Sequence, residues 1–137
     1  MNTKRKRDRT GQSAIEAVLV TLVFIACLIG VFDLGQVLFV HQTFVARVRA
    51  AARYGTLHPA DTAAIQSMVL HGTPEGSGTG IFGLQSSMVA VARSDNGTSE
   101  DRLTVSITGY PYRLFSPWIG QAFTGRAISA SFPVETP

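Results

Sequence analysis

The stretch GQSAIEAVLVTLVFIACLIGVFDLGQVLF, residues 11–39, decides how the rest of the chain must be arranged. From Ala17 to Phe32 it holds no charged residue, and Thr21 is the only clearly polar side chain in the run. As a helix rising about 1.5 Å per residue, those positions cover roughly 24 Å. Shoulders at Ala14, Ile15 and Leu34 to Val40 make it long enough for a bilayer core of about 30 Å. A buried helix of a soluble protein is rarely apolar on every face for this length. The stretch therefore reads as a membrane-spanning helix.

Upstream stand Lys4, Arg5, Lys6, Arg7 and Arg9 against a single acid, Asp8. The formal charge of +3 for the whole chain hides this asymmetry, because the part after Gly11 has seven Arg, no Lys and eight acids. A nucleic-acid surface needs basic residues clustered on the folded part, and they are not there. Beside an apolar run, basic residues set topology instead. By the positive-inside rule the N-terminus faces the cytoplasm and the C-terminal part faces outward. A conventional secretory signal would have an apolar region of about 7–15 residues followed by small residues at the cut. This run is longer, Leu28 to Gln36 offers no Ala-x-Ala, and Ala50-Ala51-Ala52 comes too late.

Glu16 breaks the pattern. A carboxylate costs about 2.5 kcal/mol or more near the bilayer centre. One reading is an interfacial side chain that reaches water. The other takes in its surroundings: a basic leader, Gly11, and then a Glu five residues on at the start of an apolar helix. This arrangement resembles the prepilin-processing signal of type IV pilins and pseudopilins. Gly11-Gln12-Ser13-Ala14-Ile15-Glu16, the apolar run, Asp33-Leu34-Gly35 and Ala50-Ala51-Ala52-Arg53-Tyr54-Gly55 together resemble the TadE family. Those are minor pilins or pseudopilins of the tight-adherence (Flp) pilus system. The likeness is dense over about residues 9–56 and thinner beyond. Gln12 stands where many type IV pilins have Phe, which fits the Tad branch better than the type II secretion branch.

The resemblance implies a leader, residues 1–11, removed by a prepilin peptidase between Gly11 and Gln12. It implies a role for Glu16 in subunit assembly. The implied partners are the peptidase, other pilins of the Tad system, the inner-membrane assembly platform and the lipid bilayer. The implied place is the bacterial inner membrane, with a periplasmic head that can enter an extracellular pilus. The alternatives are a pseudopilin of type II secretion or DNA uptake, and a plain single-pass envelope protein.

Beyond Phe32 the helix is expected to continue to Tyr54, making a rod of roughly 65 Å from Gln12. Leu34, Val37, Leu38, His41, Phe44, Val45, Val48 and Ala52 form an apolar stripe at 3–4 spacing. Gly55 reads as a C-cap, and Asp33 as an outer-interface residue. The chain thus divides into the leader, a helix over 12–55 that spans the membrane to about residue 34, and a head over 56–137. In the head, His58-Pro59 stops the rod and 60–71 reads as a short helix. The glycine-rich stretch 72–80 reads as a flexible loop.

Three strands follow. Met88 to Arg93 is apolar and partly β-branched, Asp95-Asn96-Gly97 is a turn signal, and Leu103, Val105 and Ile107 alternate with polar residues. Ile128, Ala130, Phe132 and Val134 alternate in the same way. Leu103, Val105, Ile107, Ile128 and Phe132 are expected to share one core. Asn96-Gly97-Thr98 also matches a glycosylation sequon. Between the last two strands, Tyr110, Tyr112, Phe115 and Trp118 crowd one connection, together with Phe123. They either close one end of the core or form an apolar patch that docks another pilin; the first reading is favoured. The expected fold is α+β and pilin-like: a long helix packed on a small head with a short helix and a three-stranded antiparallel sheet.

Catalytic, cofactor and metal sites are not expected. Cys27, the single cysteine, reads as a small apolar packing residue. His58 and His71 show no metal-ligand spacing, and no serine has a nucleophile-elbow context. The chain is not expected to be an enzyme.

Overall fold

The computed structural model describes residues 4–96, 98, 100–116 and 122–134, with the side chains of 4–10 outside that set. Trp118 and the Gly97 of the sequon fall outside the described residues. The apolar run forms one unbroken helix, α1 (Lys4–Leu57). Its 54 residues extend about 80 Å. Along 11–25 every residue is exposed, and among the described residues one helix is long and apolar enough to cross a membrane. The hydroxyl of Thr21, the polar exception, donates to the carbonyl of Ala17 at 2.8 Å and so stays satisfied on a helix without other polar company.

The head packs on the second half of α1. Val40, Phe44, Val48, Ala51 and Ala52 are buried, with Val37 and Val45 packed beside them. Leu34 and Leu38, expected on this stripe, are instead 66% and 59% exposed. At about 100° per residue, Leu38 lies roughly 120° around the helix from Phe44 and misses the head. The line through Val40, Phe44, Val48 and Ala51 runs back to Asp33 instead.

Gly55 does not cap the helix, which continues to Leu57. A Cβ at 55 would stand 2.1 Å from Leu103 Cδ2 and 2.9 Å from Ile65 Cδ1. The glycine is therefore there for close packing. Pro59 limits further extension.

Helix α2 (Thr62–His71) starts at Asp61, whose carboxylate accepts the N–H of Ala64 at 2.9 Å. It ends at Gly72, in the left-handed conformation with φ 83°, whose N–H bonds to the Met68 carbonyl. Ala64, Ile65, Val69 and Leu70 are its buried residues. The glycine-rich loop that follows folds back on this helix. The hydroxyl of Ser67 lies 2.9 Å from the Thr73 carbonyl and 3.1 Å from that of Gly76.

Strands β1 (Val89–Ser94), β2 (Arg102–Ile107) and β5 (Ile128–Pro133) form an antiparallel sheet in the order β1-β2-β5. The alternation holds: Leu103, Val105 and Ile107 are buried while Arg102 is exposed. Opposite them stand Phe132, Ala130 and Ile128. Ile128 is buried, but Phe132 only packs partly against the core, because it lies near the end of the edge strand β5. At the β1–β2 end the Arg93 guanidinium pairs with the buried carboxylate of Asp101, through Nε at 2.9 and 3.1 Å and through Nη2. This partner raises the Arg93 pKa.

A second, two-stranded sheet was not expected. Strands β3 (Pro111–Arg113) and β4 (Ala122–Thr124) pair antiparallel, with Tyr112 opposite Phe123. Three residues are too few for an alternation to register, and Pro111 argues against a strand.

Candidate functional site

The surfaces that can act are the bare half of α1 and the place where the head meets it. Gly11, Gln12 and Glu16 are exposed on consecutive turns. A Cβ added at Gly11 would meet nothing within 4 Å, so nothing in the described fold requires glycine there. Glu16 makes no hydrogen bond or ion pair among the described residues. Cys27 is exposed on the same bare half.

Seventeen positions above Glu16, about 25 Å along the axis, stands Asp33. It is 3% exposed. One carboxylate oxygen accepts the backbone N–H of Phe115 at 2.7 Å, and the other accepts that of Ser116 at 2.9 Å. This carboxylate fastens the connection after β3 to the helix. The Phe115 ring lies edge-on to Phe32 at 6.2 Å and remains 78% exposed.

Above the clasp, aromatic rings fill the gap between helix and head. Tyr110 lies edge-on to Phe44 at 4.6 Å and to Tyr112 at 5.0 Å, and Tyr112 stacks on Phe123 at 5.3 Å. The Tyr112 hydroxyl is 3.2 Å from His41 Nδ1, and the Tyr110 hydroxyl donates to the Phe82 carbonyl at 2.8 Å. Burial pushes both phenols up from the ordinary tyrosine range; a neighbouring tyrosine adds to this for Tyr112, while Arg113 opposes it for Tyr110. Phe82 has φ 54°, a rare conformation for a bulky residue. It turns its ring against Phe39 and Phe44. A cleft of about 390 Å³ opens between α1 and β3, lined in part by Gln36, Phe82 and Arg113.

Of the four aromatics singled out in the sequence, Tyr112 is buried and Tyr110 half-buried against the core, while Phe115 is exposed beside Phe32. Trp118 lies outside the described residues. Sequence reasoning read Asp33 as an outer-interface residue and missed its two backbone partners, Phe115 and Ser116. Beside an apolar run it resembles an ordinary interface charge, yet it sits on the head-facing line of the helix. Among the described residues, no group of three or more His, Cys, Asp or Glu is placed to hold a metal ion.

Residues 11–53 match the family model described as TadE-like protein. The TadE-like stretch thus begins at Gly11, takes in Glu16, Asp33 and the buried stripe, and stops four residues short of the end of α1. It comprises helix and none of the head. No curated protein and no solved structure matches the chain.

Proposed function

We propose that this chain is a minor pilin, or pseudopilin, that takes part in assembling a tight-adherence Flp pilus for surface attachment and biofilm formation. The observation that carries this reading is the TadE-like match over residues 11–53, which begins at Gly11. The shape fits the role. A bare apolar helix can sit in the inner membrane or join a bundle of like helices, while the head rides on its far half in the periplasm. The partners of this reading are the prepilin peptidase, the other Tad pilins and the assembly platform.

Cleavage after Gly11 gives Gln12 a free α-amine, with an ordinary pKa of about 7.7–8.0. It also removes the basic cluster that held the N-terminus on the cytoplasmic side. In a helix bundle, the Glu16 of one subunit can meet the amine of another. Such a pair is strong in low dielectric only when both partners are present, and a lone buried charge costs several kcal/mol. Glu16 then selects one axial offset between neighbours.

The mass of the mature N-terminus tests this. Wild-type chain expressed with its pilus system should begin at Gln12. Gly11→Val should accumulate with the leader attached, and the open space around Gly11 means that this reads processing and not folding. Normal maturation of Gly11→Val would show that the cut lies elsewhere. Retention of Met1 to Gly11 in the wild type would favour a plain anchored envelope protein.

A further inference from the structure

We infer that Phe115 and Ser116, just after β3, form a membrane contact that seats the head on the outer leaflet of the bilayer. The inference rests on reading α1 as a membrane span. Asp33 directly follows the uncharged run, about 25 Å above Glu16. With Glu16 at the inner lip of a hydrocarbon core about 30 Å thick, the clasped loop lies at the outer boundary. Its Phe115 ring rests against Phe32, the last residue of that run, and is otherwise open.

Irregular backbone at this depth is tolerated only when its polar groups are satisfied within the protein. The Asp33 carboxylate does this for both N–H groups at once and is itself buried in the process. Neighbouring residues suit the same level. Phe82 and Phe39 form an exposed aromatic pair one to two turns above, as in the aromatic belts of membrane interfaces. Arg113, exposed at the edge of the cleft, is placed for lipid phosphate.

The test uses the full chain in lipid nanodiscs with one copy per disc. A nitroxide spin label is attached at Phe115→Cys in a Cys27→Ala background, and its collisions with oxygen and with a water-soluble nickel chelate are compared. Leu57→Cys, at a position equally exposed at 78% but far above the membrane, is the reference. The label at 115 should favour oxygen over nickel several-fold more than the label at 57. Adding Asp33→Ala to the Phe115→Cys chain should release the loop and restore nickel access. Equal ratios at 115 and 57 would overturn the inference while leaving the membrane span intact. Shielding of the 115 label from both reagents would overturn it too, since that marks contact with protein. Failure of the chain to enter nanodiscs would remove the span itself and the inference with it.

Discussion

Asp33 accepts the backbone N–H of Ser116 at 2.9 Å, across 83 positions of sequence, and both residues are buried. One side chain thereby fixes how low on the helix the head sits.

Removing that carboxylate strands two N–H donors. Asp33→Ala should cost about 1–3 kcal/mol for the buried Ser116 donor left unpaired, and less for the part-buried Phe115 donor, read as a lower unfolding midpoint of the full chain in detergent. The amides of Phe115 and Ser116 should exchange faster. Asp33→Asn should not restore them, because its amide group turns a donor toward one of the two N–H groups. Wild-type exchange at both amides in Asp33→Ala would mean that the clasp contributes nothing.

Phe44 is fully buried between helix and head, whereas Phe132 only leans on the core. Phe44→Ala should therefore cost about 3–5 kcal/mol, much of the total stability of a small domain. Phe132→Ala should cost clearly less. Urea titrations of the two variants rank them, and the reverse order would contradict the burial described above.

The tyrosines predict an alkaline limit. Burial raises the Tyr110 and Tyr112 phenols above the usual value of 10.0, so the unfolded chain releases those protons first. The unfolded state then binds fewer protons, and stability falls as pH rises from about 10 through the folded values. Below that range the contribution is fully present. Tyr112→Phe should lose stability less steeply than wild type in this alkaline window, as followed by denaturant midpoints. An unchanged slope would mean that Tyr112 ionises freely in the fold.

For Glu16 the expected outcome separates insertion from assembly. Glu16→Ala should be inserted and cleaved like the wild type yet fail to co-purify with the other pilus subunits. Glu16→Gln keeps the shape, loses the charge, and should fail nearly as badly. Assembly of Glu16→Gln at the wild-type level would reduce Glu16 to an interfacial residue.

Much of this molecule is legible in its sequence because two periodicities are strong. The all-apolar run gives α1, and the Leu103-Val105-Ile107 alternation gives the central strand with its buried face. Asp61 and Gly72 mark the ends of α2 by local chemistry alone. What escapes is what depends on distant partners. The role of Asp33 needs Phe115 and Ser116, and the packing of Gly55 needs Leu103 and Ile65. The β3–β4 pair is too short to leave a pattern, and Leu38 shows that an apolar side chain on an amphipathic half need not face the head. The candidate site divides the same way. Gly11 and Glu16 stand out by spacing, while the clasp stands out only by its place on the line through Val40 and Phe44.

Because α1 is continuous from Gly11 through the clasp, depth and compass bearing are one variable in this molecule. The seventeen residues between Glu16 and Asp33 fix a rise of about 25 Å and also a turn of about 260°. The direction in which the head faces is therefore set by the same count of residues that sets where Glu16 lies. A single alanine inserted into 17–32 would leave the apolar character intact and lengthen the stem by only about 1.5 Å, yet swing the head by about 100° relative to Glu16. The chain behaves as a screw: a neighbour that engages Glu16 is presented with one azimuth of the head.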